Sequence, residues 1–431
     1  MRRTVKILIA IAALGLIGWY GLSMVLPDKA VPPPPTIFAK ADDGVPDTLE
    51  EWRGRIDYAR LDLQLIELSL RPEMAGLAVA VVEDGEVRFV RTYGVADRST
   101  REPVTPDTVF RWASVSKTAT GMLAATLAET GAVDLRRPVA SWQTSLRLPQ
   151  GGESTLTLAQ LLSHQTGLTK NAYDEKLEAG EDPVAIRAKL FAAPLQCPQG
   201  TCHTYQNIAF DAASEILAQA GQKPFPDQVA ERFFRPLGMA SASYGMAGLT
   251  SAKDWAHPHN QTQVSAVKEA YWRVPAAAGV NSNIVDFAKW MQAMMGERPD
   301  VLPLAALQLA ETPLIATPRP YSGTLAKALS GAGYGLGLRS FIYNGRRLLG
   351  HSGAVAGYRA TMIFDPATKT GAVAMWNANW GMPFRIPFAV LDSYQKLPDC
   401  GWLDVSALPL PGDEPLAELP ETKENSPCLT R

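Results

Sequence analysis

Apolar and polar positions change rhythm twice along this chain. From Gly76 to Tyr93 alternating apolar residues flank Asp84-Gly85. That pattern predicts a β-hairpin, because both central residues of a tight two-residue turn need positive φ. From Ser114 to Thr130 the run is rich in Ala, Leu, Thr and Met, free of proline, and followed by Gly131 where a helix would end. A second helix-like run covers about 208–220, and the stretch from about 116 to 269 reads as helices joined by loops. Strand-like runs return between Tyr334 and Asn377, with turns near Asn344-Gly345 and Asp365-Pro366. Strands at both ends with helices between predict an α/β (α+β) fold: an antiparallel sheet flanked by helices, with an all-helical insertion. The sheet region would be discontinuous, about 51–115 and 270–395, and the helical region about 116–269.

The N-terminus follows another pattern. Arg2, Arg3 and Lys6 precede an uncharged run from Ile7 to Leu26, close to the ~20 residues that a membrane helix needs. Trp19 and Tyr20 lie towards its outer end and Asp28 closes it. Positive charge on the short leading end predicts that this end stays cytoplasmic and the rest is exported. Around Leu22–Leu26 there is no Ala-x-Ala cleavage pattern and no cysteine for a lipid anchor. Residues 1–27 therefore read as an uncleaved transmembrane helix, with a cleaved signal segment as the alternative. Residues 28–50, with Pro32-Pro33-Pro34-Pro35, read as a stiff linker, 51–395 as the main domain, and 396–431 as a packed extended tail. The expected location is the bacterial inner membrane, single-pass, with the main domain in the periplasm; cleavage would leave it secreted or periplasmic.

Composition adds three constraints. At 431 residues and 46% hydrophobic, the chain can bury a large core or two. A formal net charge of −2, with no basic stripe, gives no footing for nucleic-acid binding. The four cysteines form two sequence-local pairs, Cys197 with Cys202 around Pro198-Gln199-Gly200, and Cys400 with Cys428 across the tail. In an oxidising compartment these predict two disulfides, the second contributing about 3–4 kcal/mol of loop entropy. Zinc at Cys197, Cys202 and His203 is the competing reading, but no further ligand pattern stands out. His257 and His259 flank Pro258 in a loop geometry able to ligate metal; the expectation is no metal and no cofactor.

Candidate chemistry comes from three short motifs in order: Ser114-Val115-Ser116-Lys117, Tyr205-Gln206-Asn207 and His351-Ser352-Gly353. On a helix, residues three apart sit one above the other with Cβ atoms about 5–6 Å apart, so Lys117 shares a face with Ser114. A serine hydroxyl needs a neighbouring base to attack a carbonyl, and a lysine with lowered pKa supplies one. Tyr205 offers a phenol to relay a proton, and Asn207 an amide to hold substrate and lysine. Gly353 would let the backbone approach a ligand closely, and the N–H groups of Ser114 and Ala354 would form an oxyanion hole. Two further Ser-x-x-Lys copies, Ser265–Lys268 and Ser393–Lys396, lack this setting. Gly350-His351-Ser352-Gly353-Ala354 is a near-miss nucleophile elbow, but no histidine follows His351, as that triad order requires.

From about Ile56 to Gln395 the chain resembles the serine β-lactamase and penicillin-binding-protein superfamily, on the class C β-lactamase, D-peptidase and esterase side. Leu161-Leu162-Ser163-His164-Gln165-Thr166-Gly167-Leu168, Phe234-Arg235-Pro236-Leu237-Gly238-Met239 and Pro275-Ala276-Ala277-Ala278-Gly279-Val280 are similar to its further landmarks. The resemblance implies a β-lactamase/transpeptidase-like fold with the active site between its two regions. It implies Ser114 as the acylated nucleophile, Lys117 as its general base and Tyr205 as the proton relay. Asn207 would contact substrate, and His351, Ser352 and Gly353 would line the site. Many members carry Lys-Thr-Gly at the third motif; His351 in place of that lysine weakens the implied affinity for an anionic substrate and ranks peptidase or esterase activity above β-lactamase activity. A titrating His351 is expected to leave an inflection in the rate near its pKa. His164 reads as structural, and Arg359 as either a carboxylate ligand or an outward strand residue.

The expected function is a serine hydrolase working through an acyl-enzyme on Ser114, cleaving an amide or ester in the cell envelope. A β-lactamase or DD-carboxypeptidase is the enzymatic alternative, and a non-turnover penicillin-binding or sensor protein the alternative of another class. Its partner would be a small-molecule or peptide substrate with a reactive carbonyl, and the membrane through the N-terminal helix, with no nucleic acid.

Overall fold

A computed structural model of the protein describes residues 54–318, 321–406 and 408. Within them, nine strands form one antiparallel sheet: β1 (Gly76–Glu83), β2 (Glu86–Asp97), β3 (Glu102–Pro103), β4 (Ile315–Ala316), β5 (Leu329–Tyr334), β6 (Arg339–Tyr343), β7 (Arg346–Val355), β8 (Tyr358–Asp365) and β9 (Thr370–Trp376). Their order is β3-β2-β1-β9-β8-β7-β6-β5-β4. Strands from opposite ends of the chain meet at its middle, where Leu77 of β1 faces Trp376 of β9. The helices that matter below are α1 (Tyr58–Ser69), α2 (Ser116–Glu129), α3 (Leu158–Leu162), α4 (Ala212–Ala220), α5 (Ile284–Met294) and α6 (Ile386–Gln395).

The two hairpin turns form as their sequences require. Asp84 and Gly85 take φ of 53° and 86°, and Asn344 and Gly345 take 47° and 73°. The strand before the first turn departs from simple alternation, because β1 is buried along its whole length. Helices cover both faces of the sheet, so a central strand reads as a continuous apolar run. Leu77, Val79 and Val81 join one core with Leu61, Leu65 and Leu68 of α1 and Phe388 and Leu391 of α6. Ala78, Ala80 and Val82 point the other way and join Phe287, Trp290 and Met291 of α5. Burying side chains of this size contributes roughly 1.5–3 kcal/mol each.

Helix α2 runs through the second core, and its Ser116–Ala125 stretch is buried without interruption. It starts two residues later than the expected helix, because Ala113–Val115 forms a separate 3₁₀ turn. The run expected over 208–220 is helical only from Ala212. Short strands at 243–244, 259–260 and 263–264 interrupt the stretch expected to be helices and loops. The apolar run Ile7–Leu26, the linker 28–50 and most of the tail, with Cys428, lie outside the described residues. Among the described residues no helix is long and apolar enough to cross a membrane.

Candidate active site

The site begins at the turn before α2. Strands Phe110–Arg111 and Val280–Ser282 pair, and Trp112 then donates its backbone N–H to Val280 O (3.0 Å) and its indole N–H to Ser282 Oγ (2.7 Å). Its ring packs on Phe287 of α5 with centroids 4.6 Å apart. Immediately after this anchor Ala113 takes φ 47°, a left-handed conformation that costs a Cβ-bearing residue about 1–2 kcal/mol. Ser114, next, is partly exposed between buried Ala113 and Val115. Strand β7 is seated against this turn. A Cβ on Gly353 would lie 2.2 Å from Trp112 O and 2.9 Å from Ser114 N, so only glycine permits the approach.

Lys117 is wholly buried beneath Ser114. Its Nζ lies 2.8 Å from Asn207 Oδ1, 3.0 Å from Ala277 O and 3.3 Å from Ser114 Oγ. It also stands 4.7 Å from the centroid of the Tyr205 ring. Burial pushes the ammonium below the usual lysine range, while Tyr205 and Asp174 pull it partly back up. Ala277 is itself fixed from below, because Ala276 N–H donates to Asp211 Oδ1 (2.9 Å) and Asp211 pairs with buried Arg187 at 2.7 Å.

Asn207 is polarised by its two neighbours. A carboxylate only accepts, so the amide donates through Nδ2 to Asp174 Oδ2 (2.7 Å) and presents Oδ1 to Lys117. Tyr271 Oη lies 3.3 Å from Asp174 Oδ2 but gives its one proton to the nearer Glu178 Oε1 (2.8 Å), whereas Asp174 Oδ1 is buried without a hydrogen-bond partner among the described residues. Burial raises the Asp174 carboxyl to about 6, against the opposing pull of Asn207 and Lys117. The loop carrying Tyr205 follows a disulfide, Cys197–Cys202, with Cα atoms 6.3 Å apart. His164 flanks Tyr205 on both sides: its carbonyl accepts from Thr204 N–H (2.8 Å) and its Nδ1 from Gln206 N–H (3.1 Å). A capping box between Thr157 and Gln160 starts α3, which ends at the Ser163-His164 step.

Opposite lies β7. His351 is buried, its Nδ1–H donating to Ser352 O (2.8 Å) and its Nε2 accepting from Tyr334 Oη–H (2.8 Å). Burial, with Arg339 and Lys117 adding like charge, holds its imidazole well below the usual histidine range. The expected inflection from His351 thus moves out of the neutral range, since desolvation keeps the ring uncharged there. Ser352 Oγ pairs with Tyr321 Oη (2.8 Å) and Thr361 Oγ1 (3.1 Å).

Between these walls lies a cleft of about 440 Å³, lined by Ser114, Tyr205, Asn207, His351, Ser352 and Ala354. Three motifs spread over residues 114–353 thus converge on one opening, with Lys117 and Gly353 just behind it. The cleft is also lined by Arg339 and Asp174, neither of which the sequence singled out. The Arg339 guanidinium stands 5.6 Å from the Tyr205 ring and 5.1 Å from the Tyr334 ring, with no hydrogen bond or ion pair to a described residue. Nothing in its local sequence marks it, because only the β6–β7 pairing brings it opposite Gly350.

Other candidates fall elsewhere. Arg359 is not a cleft residue; its guanidinium donates to Val355 O (2.6 Å) and Tyr358 O (2.8 Å), which consumes it in the β7–β8 turn. The zinc reading at Cys197, Cys202 and His203 gives way to the disulfide. Cys400 is disulfide-bonded, and Cys428, its expected partner, lies outside the described residues. His257 stacks on Trp255 at 3.8 Å and faces Asp97, while His259 accepts from Arg98 N–H, so the pair does not converge on a common point. Ser393 accepts from Asp57 N–H, away from the cleft.

Comparison with known proteins bears on the family and the fold. A D-aminopeptidase of Cereibacter sphaeroides (strain ATCC 17029 / ATH 2.4.9) is 29% identical over 341 residues, 75% of this chain and 60% of the relative. The D-alanyl-D-alanine-carboxypeptidase/endopeptidase AmpH of Escherichia coli (strain K12) is 30% identical over 50% of this chain and 56% of its own length. Esterase EstB of Burkholderia gladioli is 27% identical over 49% and 56%. The chain thus spans about three-fifths or less of the length of these curated relatives, all named as hydrolases. Among solved structures, the octameric penicillin-binding protein homologue from Pyrococcus abyssi superimposes with a TM-score of 0.69 at 21% identity, covering 79% of this chain and 78% of that one. A family model described as Beta-lactamase matches residues 65–389. With that match over most of its length, a sheet and helices arranged as in a penicillin-binding protein homologue, and serine, lysine, tyrosine and histidine gathered at one cleft, the chain belongs to the beta-lactamase family.

Proposed function

We propose that the protein is a serine hydrolase that forms an acyl-enzyme on Ser114 and acts on short peptides or esters bearing a carboxylate. The observation that carries this reading is the hydrogen-bond geometry at Lys117. A neutral amine has two N–H donors and one lone pair. Asn207 Oδ1 and Ala277 O, at 2.8 and 3.0 Å, take both donors. The lone pair is left to the two hydroxyls beside the amine, Ser114 Oγ at 3.3 Å and the Tyr205 phenol, and accepts the Ser114 proton as Oγ attacks a carbonyl carbon. Burial supports the neutral form. The backbone N–H groups of Ser114 and Ala354 would receive the developing oxyanion. Tyr205, beside Lys117, would pass the proton to the leaving amine or alkoxide, and water would then release the acyl group.

Arg339 supports a carboxylate on the substrate, because a guanidinium beside the cleft with no acceptor among the described residues matches such a group. The names of the relatives, a D-aminopeptidase, a carboxypeptidase/endopeptidase and an esterase, support amide and ester bonds. For location we propose the cell envelope, with residues 1–27 as anchor. The Cys197–Cys202 disulfide supports an oxidising compartment. Alkaline carbonate extraction of membranes tests the anchor, since release into the soluble fraction would refute it.

The test of mechanism is intact mass spectrometry after exposure to a fluorophosphonate, a penicillin and an activated ester, with Ser114→Ala as control. A mass increase confined to the wild type, decaying on the ester within minutes, is expected. Absence of labelling on folded wild-type protein refutes the acyl-enzyme. A penicillin adduct that never decays, with no turnover of any ester, would favour a non-turnover penicillin sensor.

A further inference from the structure

His164, Tyr334 and His351 come from three separate elements and meet in a buried line behind the cleft. All three are at most 2% exposed. The donor sense of the line is fixed at both ends by main-chain groups that have no choice. At one end Gln206 N–H can only donate, so His164 Nδ1 must accept (3.1 Å) and its proton must sit on Nε2. At the other end Ser352 O can only accept, so His351 Nδ1 must carry a proton (2.8 Å) and, in the neutral ring, its Nε2 must accept. The Tyr334 hydroxyl fits between, accepting from His164 Nε2–H (3.2 Å) and donating to His351 Nε2 (2.8 Å). Reversing the line would set two donors against each other at Gln206 and two acceptors against each other at Ser352.

The same histidine holds the loop bearing Tyr205. Its carbonyl and its Nδ1 take the N–H groups on either side of that residue, and the two rings lie 4.3 Å apart. His164 itself has φ 61°, a left-handed conformation that its surroundings must impose. We propose that His164 is a positioning residue for Tyr205, locked in one tautomer by a one-way hydrogen-bond line that runs through Tyr334 to His351 and ties the Tyr205 loop to β7. The line joins the two walls of the cleft through uncharged groups. It thereby fixes the gap between Tyr205 and the strand without placing a second cation beside Lys117. Burial agrees, holding both imidazoles well below their usual range.

This inference rests on the proposed role of Tyr205, so its test has one arm that is independent of activity. The full-length protein, labelled with ¹⁵N in its five histidines, would be read by long-range ¹H–¹⁵N correlation, with His164→Asn and His351→Gln for assignment. His164 as the Nε2–H tautomer and His351 as the Nδ1–H tautomer, both unchanged from pH 5.5 to 8, are expected. His351 found as the Nε2–H tautomer, or either ring titrating in that range, overturns the proposal whatever the enzyme hydrolyses. The second arm is kinetic. Tyr334→Phe cuts the line, and loss of about tenfold or more in kcat with KM changed less than about twofold is expected from a displaced proton relay. His164→Asn keeps an amide oxygen for Gln206 N–H and suits a left-handed φ but no longer reaches Tyr334, so it should recover what His164→Leu loses only as far as the level of Tyr334→Phe. Equal activity in the Asn and Leu variants, or kcat unchanged in Tyr334→Phe, overturns the positioning role. Loss of the acyl-enzyme reading itself would show instead as full activity in Ser114→Ala.

Discussion

Replacing Asp174 with asparagine should stabilise the protein at neutral pH, even though the residue lines the cleft. Its carboxyl rises from an ordinary value of 3.8 to about 6, chiefly through burial. Two pH units correspond to about 3 kcal/mol at about 1.4 kcal/mol each. The sign follows from proton linkage. The folded state binds this proton more tightly than the unfolded chain, so stability is greatest below about pH 4 and is lost as pH rises through about 6. Above that, the charge sits with one oxygen unpartnered and the penalty is complete. Asparagine keeps an oxygen for Asn207 Nδ2 but carries no charge to desolvate. Urea unfolding of wild type and Asp174→Asn between pH 4 and 8 measures the difference. The variant should gain up to about 3 kcal/mol at pH 8, and that gain should shrink towards zero as the pH approaches 4. The gain should come with lower activity, because a neutral amide no longer dictates which end of Asn207 faces Lys117. A stability difference independent of pH, or a variant less stable at pH 8 than at pH 5 relative to wild type, would refute the reasoning.

Three other substitutions probe separate parts of the site. Gly353→Ala forces a methyl onto Trp112 O and Ser114 N, and should lower kcat by about a hundredfold with a stability loss of about 1–3 kcal/mol, checked by ester kinetics and thermal melting. Arg339→Gln should raise KM by about tenfold or more for carboxylate-bearing substrates while leaving neutral esters alone, and Arg359→Gln should show no such contrast. If His351 stays neutral, the pH–rate profiles of wild type and His351→Gln should share their inflections from pH 5.5 to 8, whatever the difference in absolute rate; an inflection present only in the wild type would contradict its burial.

Local rules carried the sequence reading as far as local rules reach. The Asp84-Gly85 and Asn344-Gly345 turns were legible because positive φ at adjacent residues narrows the choice of amino acid. Ser114 and Lys117 were legible because helical spacing alone brings them together. Burial of β1 on both faces was not, since the second covering layer comes from α1 and α6, at opposite ends of the chain. Arg339 and Tyr334 escaped notice for the same reason: each matters through a strand neighbour, Gly350 or His351, that only the sheet register supplies. Asp174 carries no local signal either, and its importance appears once Asn207 closes on it. Tyr334 did leave one trace in the sequence. It stands before Gly335-Leu336-Gly337, and such spacing of glycines marks a place where backbones crowd.

The Cys197–Cys202 bridge closes a small ring, five residues apart in sequence, and such a ring contributes only about 2 kcal/mol to global stability. Its flanks are already stitched to the segment after α3, with Gln196 N–H on Gly167 O (2.7 Å) and Gly200 N–H on Gln165 O (2.8 Å). Opening this bridge alone, in Cys197→Ser/Cys202→Ser, would therefore lower the melting temperature by only a few degrees and leave the elution volume unchanged. The defect would lie in the few residues between the bridge and Tyr205, where a loosened loop spoils the alignment of one phenol. Turnover per acylatable Ser114 is the sharper gauge of this bridge, because that ratio senses the loop while bulk stability shifts only slightly.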